Sequence, residues 1–187
     1  MRTEKCIIAG FGGQGIMLMG QLLAQAGMDD GRHVSWLPSY GPEMRGGTAN
    51  CSVIVSEHEI PSPLIDHDAT SVIIMNKPSL AKFLPHLRAG GRLLINTSLV
   101  DEKVERDDIE VVYVPCNEIA NEIGNLKLTN MVMMGAFTAA THAVSPDNLI
   151  HALEHKLGAR KAHLMDVNRE AFARGGECYH GPLVAAG

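Results

Sequence analysis

The run Gly10-Phe11-Gly12-Gly13-Gln14-Gly15 follows the apolar stretch Cys6-Ile7-Ile8-Ala9 and precedes a helical pattern over residues 16–26. Glycines at a strand-to-helix turn let an anion's oxygens reach main-chain N–H groups, and the positive end of the following helix favours negative charge. A second glycine-rich segment, Ser39-Tyr40-Gly41-Pro42-Glu43-Met44-Arg45-Gly46-Gly47, follows a short strand pattern. Arg45 offers a planar guanidinium suited to paired hydrogen bonds with phosphate or carboxylate, or else partly neutralises Glu43 on a surface loop. Tyr40 caps a pocket or packs beneath the loop. The candidate cofactor- or partner-contacting residues are therefore Gly10, Gly12, Gly13, Gln14, Gly15, Tyr40, Glu43, Arg45, Gly46 and Gly47.

Gly10, Gly12 and Gly15 satisfy the dinucleotide pattern G-x-G-x-x-G in the right context, but such a site also needs an acidic residue at the end of the second strand for the ribose hydroxyls. That position reads Leu37-Pro38-Ser39-Tyr40, while Asp29 and Asp30 precede the strand. The pattern therefore points to another anionic ligand or a docking surface, to tight backbone packing, or least well to NAD or FAD.

No catalytic set presents itself. Cys6, Cys51, Cys116 and Cys178 are isolated, with none of the short spacings that gather thiolates around a metal or an iron–sulfur cluster. His151 and His155 have helical i, i+4 spacing but enclose Ala152-Leu153-Glu154 and lack an evident third ligand, so no metal site is expected. There is no G-x-S-x-G elbow and no lysine completing a phosphate loop. The methionines, among them Met131, Met133 and Met134 in one helical segment, read as flexible core filler.

The elements that must position these loops read as an α/β, Rossmann-like domain over residues 1–187, with a mainly parallel sheet, helices on both faces and an antiparallel edge feature. Strands are expected at 6–9, 33–37, 69–75, 92–96 and 109–114, and a strand, turn and short return strand over 48–60. Helices are expected at 16–26, from Pro78 through Leu87 with a bend at Pro85, and at 118–123, 130–143, 146–157 and 161–173. The chain of 187 residues is 45% hydrophobic with a net charge of −5, and no Lys/Arg run offers a footprint for nucleic acid or an anionic membrane surface. The apolar run before the glycines is too short for a signal-peptide core, so a cytoplasmic protein is expected.

The pairing of G-F-G-G-Q-G-I with S-Y-G-P-E-M-R-G-G-T-A-N-C-S-V and the later I-P-S-P-L-I resembles the gamma subunit of 2-oxoacid:ferredoxin oxidoreductases. The resemblance runs from Cys6 to about Gly175. It implies a non-autonomous, cytoplasmic subunit of anaerobic metabolism, inactive alone, that assembles with alpha, beta and ferredoxin-like delta subunits. Oxidative decarboxylation of a 2-oxoacid with coenzyme A would then use thiamine diphosphate and iron–sulfur clusters in those partners. On this chain the crevice formed by the two loops is expected to meet the catalytic subunits and help admit or hold coenzyme A, or to contact partner subunits only; the isolated chain could also form a homodimer. Pyruvate, 2-oxoglutarate, branched-chain and aryl substrates all stay open. The rival readings are a free-standing NAD or FAD oxidoreductase and a purely structural module.

Overall fold

The computed structural model describes residues 3–39 and 48–181. Its strands are β1 (Thr3–Phe11), β2 (His33–Ser39), β3 (Thr48–Ser56), β4 (Ala69–Ile74), β5 (Leu87–Asn96) and β6 (Glu110–Val114), which form one sheet in the order β2-β3-β1-β4-β5-β6. The helices are α1 (Ile16–Asp29), α2 (Lys77–Phe83), α3 (Cys116–Ile123), α4 (Thr129–Thr141), α5 (Pro146–Leu157) and α6 (Met165–Gly176). β1, β4, β5 and β6 are mutually parallel, whereas β3 runs antiparallel to both neighbours, β1 and β2.

The central strands are continuously apolar because both faces are covered. Cys6 and Ile8 of β1 join Ile73, Leu94 and Val112 in the core beneath α1, α3, α4, α5 and α6. Ile7 and Ala9 point the other way and pack with Val72, Ile74, Leu93 and Ile95 against Leu80 and Phe83 of α2. Helices thus lie on both faces, but unequally.

α4 is buried on nearly every side, with Met131, Met133, Met134 and Phe137 fully enclosed, as expected of a helix without a polar face. Thr138 and Thr141 remain compatible with that interior because their hydroxyls donate to the carbonyls of Met134 and Phe137, each at 2.8 Å. α5 starts and stops where its sequence indicates: Ser145 Oγ accepts from Asn148 N, Pro146 opens the first turn, and Gly158 follows at φ 66°.

Two expectations are corrected. The helix expected to reach Leu87 ends at Phe83, is followed by a 3-10 turn over Leu84–His86, and Leu87 already belongs to β5. Pro85 lacks an N–H and its ring crowds the preceding turn, so it ends the helix rather than bending it. Gly90 and Gly91, expected beyond that helix, lie inside β5, where Gly90 adopts φ 71° near a register shift against β4. The return strand expected after β3 does not form either. His58 N turns onto Ser56 Oγ, Pro61 and Pro63 remove ladder donors, and no strand occurs over 57–68. β3 itself is an interior strand hydrogen-bonded on both sides, and the antiparallel margin of the sheet is the β2–β3 pair with β2 outermost.

Candidate functional site

β1 carries its hydrophobic run to the carboxyl edge of the sheet and releases the chain into a tight turn. Gln14 N donates to Phe11 O at 3.2 Å across that turn, and Gly13 at its third position has φ 96°, a geometry that selects glycine. The Gln14 side chain then holds the turn in place. Its Oε1 accepts from Phe11 N at 2.6 Å, and its Nε2 donates to Met75 O at 3.0 Å, tying the end of β1 to the end of β4.

The four glycines do not share one role. Gly10 is buried, and a Cβ there would stand 2.6 Å from Gln14 Oε1 and 2.8 Å from Met75 Cβ. Gly15 caps α1 at φ 78°, and a Cβ there would meet Asn130 Nδ2 of α4 at 2.6 Å. Those two positions serve packing. Gly13, by contrast, has open space around the missing Cβ, and Phe11, Gly12 and Gly13 are exposed together. Among the described residues no side chain caps the α1 N-terminus, and its first turn holds no acidic residue. Exposed main chain and a positive helix end therefore coincide at Gly12 and Gly13, as anion recognition requires.

Tyr40, Glu43, Arg45, Gly46 and Gly47 lie outside the described residues, but their flanks do not. Ser39 and Thr48 stand at the same edge of the sheet as the glycine turn, and Thr48 is the register partner of Phe11. The strand order also bears on the dinucleotide reading. In a dinucleotide fold the second strand lies directly beside the first and places its acidic end near the glycines. Here β3 occupies that place and β2 is displaced to the margin, two strands from β1.

Further along the rim, Lys77 bonds Asp101 and Glu102 at 3.1 and 3.2 Å, and these hydrogen bonds, Asp101 first, raise its pKa above the usual ammonium value. After β5, Asn96 Nδ2 donates to Asn117 Oδ1 at 3.0 Å, and the Ser98 hydroxyl accepts from Asn117 N while donating to Glu118. The polar groups here are occupied with one another and knit the β5 and β6 ends together.

The thiols are chemically quiet. Burial raises the Cys6 and Cys116 thiols well above their ordinary value and pushes Cys51 up to about 12, while Cys178, half-buried, is raised mainly by the same cause. Since the thiolate is the reactive form, a disulfide reagent at pH 8 is expected to modify at most one thiol quickly in the folded chain, that of Cys178, and all four in 6 M guanidinium. Fast reaction of two or more native thiols would contradict these buried environments. His151 and His155 pack edge to face at 4.6 Å between ring centroids. A second histidine pair, His67 and His86, is brought together with Asp66 by the fold, a grouping that the distant sequence positions conceal.

A family model described as pyruvate ferredoxin/flavodoxin oxidoreductase matches residues 5–178 of this chain. The chain belongs to that family. The ketoisovalerate oxidoreductase subunit VorA of Methanothermobacter marburgensis is 42% identical over 138 residues, covering 74% of this chain but 28% of VorA. This chain accordingly spans less than a third of that relative's length. The 2-oxoglutarate synthase subunit KorC of the same organism is 34% identical over 179 residues, covering 90% of this chain and 96% of KorC. Among solved structures of the family, the gamma subunit of a keto/oxoacid ferredoxin oxidoreductase from Geobacter sulfurreducens superposes with a TM-score of 0.79 at 28% identity, covering 94% of this chain and 97% of that one. Family members thus include both a separate subunit of this size and a longer polypeptide that this chain matches only in part.

Proposed function

We propose that this chain is the gamma subunit of a multi-subunit 2-oxoacid:ferredoxin oxidoreductase, an assembly that oxidatively decarboxylates a 2-oxoacid to an acyl-coenzyme A. The observation that carries the reading is the nearly full-length correspondence with KorC, a separate subunit of a 2-oxoacid enzyme. Its role is supportive: it holds partner subunits and contributes main-chain donors to coenzyme A, and alone it is inactive. Thiamine diphosphate and iron–sulfur clusters belong to the alpha, beta and ferredoxin-like delta partners. The work is cytoplasmic, and among the described residues no helix is long and apolar enough to cross a membrane.

The turn at Gly12 and Gly13 is suited to an anionic portion of coenzyme A, because exposed N–H groups and an uncapped helix end favour phosphate oxygens there. Gln14 keeps that turn in place, and Arg45 and Glu43, flanked by Tyr40, Gly46 and Gly47, contribute the second loop. Bound coenzyme A would supply the thiol that accepts the acyl group. This chain would orient it and add no reacting atom.

The test is reconstitution with the partner subunits, comparing wild type with Arg45→Ala. Loss of a guanidinium fork from a phosphate is expected to raise the coenzyme A KM roughly tenfold or more with kcat within about twofold. Weakened subunit association with an unchanged KM would assign Arg45 to a neighbouring chain instead. If both stay unchanged, the loop reading fails.

A further inference from the structure

We propose that Asp66, His67 and His86 form a binding site for one divalent transition-metal ion of the zinc class, outside the glycine rim. One carboxylate oxygen and one ring nitrogen from each histidine lie within 4.8 Å of one another. A tetrahedral ion with bonds of about 2.0–2.2 Å needs its donors about 3.3–3.6 Å apart, so the three atoms must close by about an ångström. Exposed side chains can do this by rotating.

The hydrogen bonds around the pair point the same way. His67 Nδ1 lies 3.1 Å from the carbonyl of Pro85, and His86 Nδ1 bonds the carbonyl of Asp66. A carbonyl only accepts, so each Nδ1 carries a proton, and in the neutral ring the lone pair that a metal needs is on Nε2. Imidazoles that bind metals are commonly held in this way, with the second nitrogen donating to a backbone carbonyl. His67 Nε2 in turn faces Asp66 Oδ1 at 3.4 Å. A lone pair opposite a carboxylate is repulsive unless a proton or a cation lies between them, and 3.4 Å admits a bridging ion with a bent ligand–metal–ligand angle. The two rings stack at 5.2 Å with 7° between their planes, so the rings are adjacent and one must turn for both Nε2 lone pairs to meet at one ion. Two histidines and a carboxylate leave coordination positions for water, a donor set that suits Zn2+, Co2+ or Ni2+ rather than Mg2+ or Ca2+.

The ion would join the two segments that lead into the paired starts of β4 and β5, where Ala69 is the partner of Leu87. Asp66 and His67 end the strandless stretch 57–68, and His86 ends the 3-10 turn before β5. Binding would add to the two hydrogen bonds that already link them.

The experiment titrates Zn2+ alone into the full, chelator-treated 187-residue chain by calorimetry, and follows histidine ring resonances by NMR with Co2+. One equivalent is expected to bind, with the His67 and His86 resonances broadened first. Tm should rise by roughly 5–10 °C at a free ion concentration about a hundred times Kd. His67→Gln, His86→Gln and Asp66→Asn should each weaken binding at least tenfold, and a His151→Gln/His155→Gln variant should not. Absence of binding at 1 mM Zn2+ overturns the proposal, as does binding that survives His67→Gln/His86→Gln or disappears with His151 and His155. Because the NMR readout uses the unmodified chain, it decides the question even where a variant folds poorly.

Discussion

Gly135→Ala is expected to destabilise the folded chain by about 3 kcal/mol or more, although alanine is the better helix former by about 1 kcal/mol. Gly135 lies inside α4, where α6 crosses close enough for backbone to touch backbone. A Cβ at Gly135 would stand 1.9 Å from the carbonyl oxygen of Phe172, and one at Gly175 would stand 1.8 Å from that of Val132. The obstacle in each case is main chain, which cannot rotate aside as a flexible side chain can, so the helices must separate. Separation opens gaps around Met131, Val132 and Ala171, which share that buried cluster. Gly175→Ala should cost a similar amount. The double variant should lose less than the sum, because helices already apart accommodate the second methyl more easily. Urea unfolding measures all three; a Gly135→Ala chain as stable as wild type would refute the close crossing.

The second large effect separates the two kinds of glycine in the candidate site. Gly15→Ala combines left-handed backbone strain of about 1–2 kcal/mol with a clash against the Asn130 amide, and a total loss of about 2–4 kcal/mol is expected. Gly13→Asn places a residue that tolerates positive φ in open space and should cost no more than about 1 kcal/mol. In the reconstituted enzyme the order should reverse. The asparagine side chain at Gly13 stands where a ligand or partner would approach the exposed turn, and should raise the coenzyme A KM or weaken subunit association about tenfold. Folded Gly15→Ala enzyme should keep both near wild type. If Gly13→Asn leaves assembly and saturation unaltered, the exposed turn is not a contact surface.

The core could be read from the sequence wherever its cause was local or periodic. The apolar run of β1, the amphipathic period of α5 with its Ser145-Pro146 start, and the all-round apolarity of α4 each depend on residues a few positions apart. The failures share the opposite cause. Leu87 fits a helical period with Leu80, Phe83 and Leu84, yet the lost N–H at Pro85 and the pairing of Leu87 with Ala69 of β4 place it in a strand. The segment after β3 alternates plausibly for a return strand, but its prolines and the local Ser56 turn remove the ladder donors that a strand would need.

The sequence by itself determined that a strand, a glycine turn and a helix follow one another at residues 6–26, and carried the two loop motifs on which the resemblance to the family rests. These are consequences of near neighbours along the chain. Only the tertiary structure decided that Gly10 and Gly15 are closed by Met75 and Asn130 while Gly13 stays open. It likewise decided that β3 intervenes between β1 and β2, that α6 rests on Gly135, and that His86 meets His67. The physical reason is common to all four: whether a glycine faces emptiness or an atom, which strands pair, and which side chains meet depends on groups far apart in the chain that packing brings within a few ångströms.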